Sequence, residues 1–178
     1  MSTEWTIEVG RTWDGYPVPV QERVEVKLVD DGDGLRVYVS APWHGDPLPE
    51  QEPGTVQGLW EYEVVEVFVA QADRPQVYTE IELGPGGHHL ALTFTEVRQA
   101  DRTGVPMVFE SHRAHGRWQG EARILAEDLP PRPWRVNAFA IHGQGAARRY
   151  LSWCPLGGDQ PDFHQPGKYP RWGESPRT

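Results

Sequence analysis

Apolar and polar residues alternate with a period of two along most of this chain, the signature of strands with one buried and one wet face. Val24, Val26 and Leu28 alternate with Arg23, Glu25 and Lys27. After the turn Asp30-Asp31-Gly32-Asp33-Gly34, Leu35, Val37 and Val39 alternate with Arg36, Tyr38 and Ser40, which predicts a hairpin. The same alternation predicts strands over 5–9, 118–125, 134–142 and 150–153. Helix signals are scant: Ala126-Glu127-Asp128-Leu129 can form one turn before Pro130-Pro131 stops it. Residues 43–58 read as a long loop rich in proline, glycine and acid, and loops of that length in a compact domain are usually functional or mobile. Residues 165–178 read as an extended or frayed tail on which Tyr169 and Trp172 could dock. Nine or so short strands with almost no helix predict an all-β fold, an antiparallel β-sandwich of the jelly-roll kind, with residues 1–178 forming one domain.

The stretch 59–94 folds on paper into a site. Strands are predicted over 61–69, 77–83 and 88–94, the last two joined by Gly84-Pro85-Gly86-Gly87. If that four-residue turn sets the register, Glu82 faces His89, and Tyr78, Glu80, Glu82, His89, Ala91 and Thr93 share one face. Thr79, Ile81, Leu83, Leu90, Leu92 and Phe94 then form the core face. Pairing the first strand with the second places Glu66 opposite Glu80 and Phe68 opposite Tyr78. The expected site is a face holding Glu66, Glu80, Glu82 and His89. Like charges facing one another on a sheet are destabilising, so a compensating group is expected.

Composition narrows the function. The chain has 178 residues and a formal charge of -9, with no cluster of basic residues beyond Arg148-Arg149, which argues against nucleic acid and anionic membranes as partners. The 19 glycines and 17 prolines suit many turns, and the eight tryptophans suit a folded globule. A single cysteine, Cys154, precludes an intrachain disulfide and reads as a small buried residue. The start Met1-Ser2-Thr3-Glu4-Trp5 lacks a charged-then-apolar leader and no apolar run reaches membrane-spanning length, so the expected compartment is the cytoplasm. Gly84-Pro85-Gly86-Gly87 joins two strands rather than opening a helix, so it is not a dinucleotide loop. Ser152 lacks the flanking glycines of a nucleophile elbow.

The run Gly58-Leu59-Trp60-Glu61-Tyr62-Glu63-Val64-Val65-Glu66-Val67-Phe68 and the strand Tyr78-Thr79-Glu80-Ile81-Glu82-Leu83 resemble strand motifs of the family 9 carbohydrate-binding modules. The later order of Trp118, Leu129 and Trp134-Arg135-Val136-Asn137 agrees. More closely, the chain is similar to an uncharacterised family of bacterial and animal proteins. The similarity rests on the Leu59–Glu66 run, Glu80-Ile81-Glu82-Leu83, Phe139-Ala140-Ile141-His142-Gly143 and Pro161-Asp162-Phe163-His164. It covers about 60–164 and includes Trp60, Glu63, Glu66, Glu80, Glu82, His89, His142, Asp162 and His164. The resemblance implies the sandwich fold. For the sugar-binding group it also implies a glycan stacked between tryptophans and, in some members, calcium; the closer family has no established activity to carry over.

Three readings follow. In the first, a saccharide or glycoside lies over Glu66, Glu80, Glu82 and His89, with Asn137, His142 and His164 adding hydrogen bonds and Trp60 or Trp43 the stacking surface. In the second, His89, His142 and His164 hold a divalent metal that activates water in a hydrolase-type enzyme, since imidazole with carboxylate suits zinc, iron or manganese. In the third, the chain is a non-catalytic interaction protein, its acids are paired with Arg123, Arg135 or Arg149, and its histidines cap hydrogen-bond networks. Convergence of the three histidines would favour the metal, and an open aromatic platform without it would favour the sugar.

Overall fold

The alternating segments form strands as expected in a computed structural model that describes residues 3–176. In chain order the strands are β1 (Thr3–Val9), β2 (Arg11–Thr12), β3 (Val24–Asp30), β4 (Gly34–Pro42), β5 (Val64–Gln71) and β6 (Tyr78–Leu83). They continue with β7 (His89–Glu96), β8 (Gln99–Thr103), β9 (Val108–Ala114), β10 (Arg117–Leu125), β11 (Trp134–His142) and β12 (Arg149–Ser152). Every named pairing is antiparallel. One sheet has the order β1-β3-β4-β10-β9 and the other β2-β12-β11-β5-β6-β7-β8. The all-β sandwich is therefore the fold. The helical remainder is short 3-10 turns, and no helix among the described residues is long and apolar enough to cross a membrane.

Burial shows why the two sheets read differently. In β3 and β10 inward and outward residues alternate, because one face meets the other sheet and one meets water. The inter-sheet core takes Val26, Leu28, Val37 and Val39 from one sheet and Val65, Val67, Ile81, Leu83 and Val136 from the other. β5 and β6, by contrast, are buried on both faces. Their outer face carries a second apolar cluster of Phe68, Tyr78, Leu90, Leu92, Phe94, Phe139 and Tyr169. The C-terminal segment covers that face. Tyr169 is fully buried, the Val136 amide donates to the Pro170 carbonyl, and the Trp172 amide donates to the Trp134 carbonyl. The segment is thus packed on the body as far as Trp172, while 173–175 are exposed and 177–178 lie outside the described residues.

The registers correct two expectations. Gly84 pairs with His88, its amide bonded to the His88 carbonyl at 2.9 Å, so Leu83 faces His89 and Glu82 faces Leu90. The turn is one residue out of step with the expected one, and an odd slip exchanges the two faces of a strand. Leu90, Leu92 and Phe94 therefore share the face of Glu80 and Glu82, while His89 lies with Ile81 and Leu83 on the sandwich side. Between β5 and β6, Glu66 faces Glu82 and Phe68 faces Glu80 instead of Tyr78. That shift is even, so the acids keep their common face.

The long loop 43–58 is tied down by two acids, Glu63 beyond it and Asp46 within it. Glu63 accepts the His44 amide at 2.9 Å and the Asp46 amide at 3.3 Å, and Asp46 accepts the Gly143 amide at 2.6 Å. Farther along, the Val56 amide donates to the His89 carbonyl and the His89 amide to Gly54.

Candidate functional site

A cleft of about 990 Å³ opens on the outer face of the seven-stranded sheet. Its floor is β5 and β6. Glu66 and Glu80 reach it at 2% and 5% exposure, and Glu82, at 0%, lies behind them. Oxygens of the three carboxyls lie within 4.8 Å of one another. Among the described residues no arginine or lysine is paired with them: Arg149 holds Glu22, Arg123 lies 3.5 Å from Asp31, and Arg135 donates to the Ala72 and Tyr169 carbonyls. The structure does not form the ion pairs that would have made these acids a solvated or bridged face.

Crowding in a dry setting sets their acidity. Burial, reinforced by the Glu80 charge, holds Glu66 well above the usual carboxylate range. Burial pushes Glu80 up to about 7. Burial again, with the Glu66 and Glu80 charges added, holds Glu82 well above the usual range. A carboxyl kept neutral near pH 7 can donate a hydrogen bond as well as accept one.

The walls come from turns. Gly58, at φ 75°, starts a 3-10 turn over Leu59–Glu61 that buries Leu59 and leaves Trp60 45% exposed on the rim. Arg148 fixes the turn by donating to the Trp60 carbonyl, and also donates to the Gly143 carbonyl at 3.1 Å. Opposite, Phe163 stacks on Phe139 with centroids 3.9 Å apart. Asp162 accepts the His164 amide at 3.1 Å and is ion-paired with Arg98, which clamps this segment to the β7–β8 turn.

His164 closes one end. The Arg98 amide donates to the Tyr78 hydroxyl at 3.0 Å, so the hydroxyl proton is free to point at His164 Nδ1, 2.9 Å away. That assignment places the imidazole proton on Nε2, which lies 3.8 Å from Glu80 Oε2, beyond hydrogen-bond length. Burial first, then the Arg98 charge, lowers His164 to about 4, and burial raises Tyr78 to about 12. Both are neutral at ordinary pH.

Of the residues read from sequence, the cleft unites Trp60, Glu66, Glu80 and His164, with Glu82 beneath. The others lie elsewhere. His89 is on the sandwich side, 3.5 Å from the Thr55 hydroxyl and edge-on to Phe109. His142 bonds Glu22 at 3.0 Å and stacks on His44 at 3.5 Å between centroids. Asn137 is fully buried, bonding the Cys154 backbone at both N–H and C=O, and so fastens β11 to the crossing chain. Trp43 is half-exposed, but it carries the Arg113 guanidinium and does not line the cleft. The expected three-histidine metal set is therefore not assembled, because the one-residue slip removes His89 and Glu22 engages His142. Arg98, Arg148, Tyr150 and Phe163 line the cleft and were not singled out from sequence. Phe163 had a signal, being the aromatic inside Pro161-Asp162-Phe163-His164.

The antiparallel β-sandwich is shared with proteins of known structure. A candidate carbohydrate-binding protein from Bacteroides uniformis superposes with a TM-score of 0.69 at 15% identity, covering 95% of this chain and 84% of that one. A family 9 carbohydrate-binding module from Caldicellulosiruptor kristjanssonii, solved with cellotriose, gives 0.54 at 16% identity over 90% of this chain and 79% of that one. At such identities the likeness is one of fold. In sequence, the chain is 40% identical to the UPF0462 protein C4orf33 homolog of Mus musculus, over 86% of this chain and 83% of the mouse protein. It is 36% identical to UPF0462 protein C4orf33 of Homo sapiens, over 88% and 82%. The chain belongs to the UPF0462 family. No family profile matches it.

Proposed function

We propose that this protein binds a small saccharide or glycoside in the cleft above Glu66 and Glu80. The observation that carries the reading is the open cleft itself, with the half-exposed Trp60 ring on its rim and two buried carboxyls in its floor. A sugar needs a flat apolar surface for its C–H face and fixed polar groups for its hydroxyls. Trp60 and Phe163 offer the first, and Glu66, Glu80 and His164 the second. Protonated Glu80 can donate to a hydroxyl oxygen and ionised Glu80 can accept from one, so a neutral polyol suits a floor that titrates near neutrality. The two carbohydrate-binding neighbours support the same ligand class by fold.

The test is titration with glucose, cellotriose and a small panel of other oligosaccharides, read by calorimetry and tryptophan fluorescence. The expected result is saturable binding of at least one glycan. Trp60→Ala should weaken it by roughly tenfold or more, the loss that about 1.4 kcal/mol of stacking would give. Binding that is equal in the variant, or absent across the panel, would overturn the reading.

A further inference from the structure

Building on the saccharide reading, on which this step depends, we infer that the ligand of the cleft is an acidic sugar whose carboxylate pairs with Arg148 on the rim. Arg148 lines the cleft beside Tyr150, its guanidinium carbon 5.7 Å from the centre of that ring. Its hydrogen bonds go to two main-chain carbonyls, those of Gly143 and Trp60. A guanidinium carries five N–H donors, so several remain, and neutral carbonyls leave its charge uncompensated. Among the described residues no carboxylate is ion-paired with it. The neighbouring cations are matched: Arg98 is paired with Asp162, and Arg149 with Glu22. Burial, with the Arg98 charge, lowers His164 to about 4, so its ring adds no charge at ordinary pH.

The acids of the floor do not refuse such a ligand below neutral pH. Burial holds Glu66 and Glu82 well above the usual carboxylate range and pushes Glu80 up to about 7, so near pH 6 the floor is largely protonated. Glu61, the remaining acid on the rim, is exposed, and water weakens its field. Arg148 is then a positive point in the cleft of a chain whose formal charge is -9. A neutral hexose and its uronic acid differ at C6, where a hydroxymethyl becomes a carboxylate. The planar guanidinium fork suits that difference, because it takes both carboxylate oxygens and stays charged at any working pH. The ring hydroxyls are left to Glu66, Glu80 and His164, and the C–H face to Trp60. Since the Trp60 carbonyl accepts from Arg148, one side chain sets both the stacking ring and the charge.

The full-length protein and its Arg148→Gln variant are titrated by calorimetry at pH 6 with matched pairs: glucose against glucuronate, galactose against galacturonate, and cellobiose against its uronic acid. At least one uronate should bind about tenfold or more tighter than its neutral partner, the effect of one charge-assisted hydrogen bond. Arg148→Gln should abolish that preference, whereas a side chain that only held the Trp60 turn would weaken both members of a pair equally. Raising sodium chloride should shrink the preference in the unaltered protein, which decides the matter even if the variant does not fold. Equal affinities within every pair, neutral glycans bound with uronates refused, or a preference that survives Arg148→Gln or added salt would overturn the acidic-ligand assignment and leave the saccharide reading standing. Absence of binding by both members of every pair and by the neutral glycan panel would overturn the saccharide reading, and this assignment with it.

Discussion

Glu82→Gln should stabilise this protein above neutral pH and leave it nearly unchanged at pH 5. The side chain is fully buried beside two other carboxyls, and burial with the charges of Glu66 and Glu80 holds it well above the usual carboxylate range. Glu80 shares the effect, pushed by burial to about 7 from an ordinary 4.5. An acid whose pKa is raised by folding binds more protons in the folded than in the unfolded state between the two values. Its contribution is fully present below the unfolded value and is lost as pH rises through the folded one. For Glu80 that window runs from about 4.5 to about 7, and the loss is on the order of 3 kcal/mol. Glu66 and Glu82 extend the decline to higher pH.

His164 acts in the other direction. Its folded value, about 4, lies below the ordinary 6.5, so its contribution is present above 6.5 and is lost as pH falls toward 4. The two effects offset each other between about 4.5 and 6.5, and the acids dominate above. Thermal melts in EDTA from pH 4 to 9 check this. The expected result is an alkaline decline in Tm that Glu82→Gln flattens. An equal decline in the variant would show that the buried acids are not its source.

The second large effect concerns the C-terminal segment. Tyr169→Ala should cost about 3–5 kcal/mol, the range for emptying a large aromatic site in a core. Tyr169 is fully buried, meets Phe68 and Phe139 edge-on, and donates its hydroxyl to the Phe163 carbonyl. Tyr169→Phe keeps the packing, and the Gln165 amide still donates to that carbonyl at 2.9 Å, so it should cost about 0.5–1.5 kcal/mol, the net worth of one hydrogen bond. Because Phe163 and His164 form a wall of the cleft, Tyr169→Phe should also weaken saccharide binding. Urea denaturation with paired glycan titrations measures both. A loss below 1 kcal/mol for Tyr169→Ala would mean that the segment is not part of the folded core.

What was legible in the sequence follows from parity. Glu80 and Glu82 lie two apart on one strand, so they share a face whatever the register, and the even shift of β5 leaves Glu66 with them. His89 was misplaced because its face depends on whether the turn at Gly84 holds an odd or even number of residues, and a run of Gly-Pro-Gly-Gly permits either. β8 went unread because Gln99–Thr103 is exposed throughout and carries no alternation. β9 went unread because it is an edge strand with nothing fully buried. Trp60 stands on a 3-10 turn and His164 in an irregular segment, where periodicity is silent; only motif resemblance brought them forward. Arg98 and Arg148 had no such signal, since their roles depend on contacts with Asp162 and the Trp60 carbonyl that chain folding creates.

The claim that this cleft is a saccharide site is tested most directly by following tryptophan indole N–H resonances in a nitrogen-15 labelled sample titrated with cellotriose and the glycan panel. Trp60 and Trp43 are both partly exposed, yet only Trp60 lines the cleft. The expected result is a saturable shift of the Trp60 indole with Trp43 unmoved, together with shifts at Phe163 and His164. Saccharide-dependent shifts that cluster at Trp43 and spare Trp60 would contradict it.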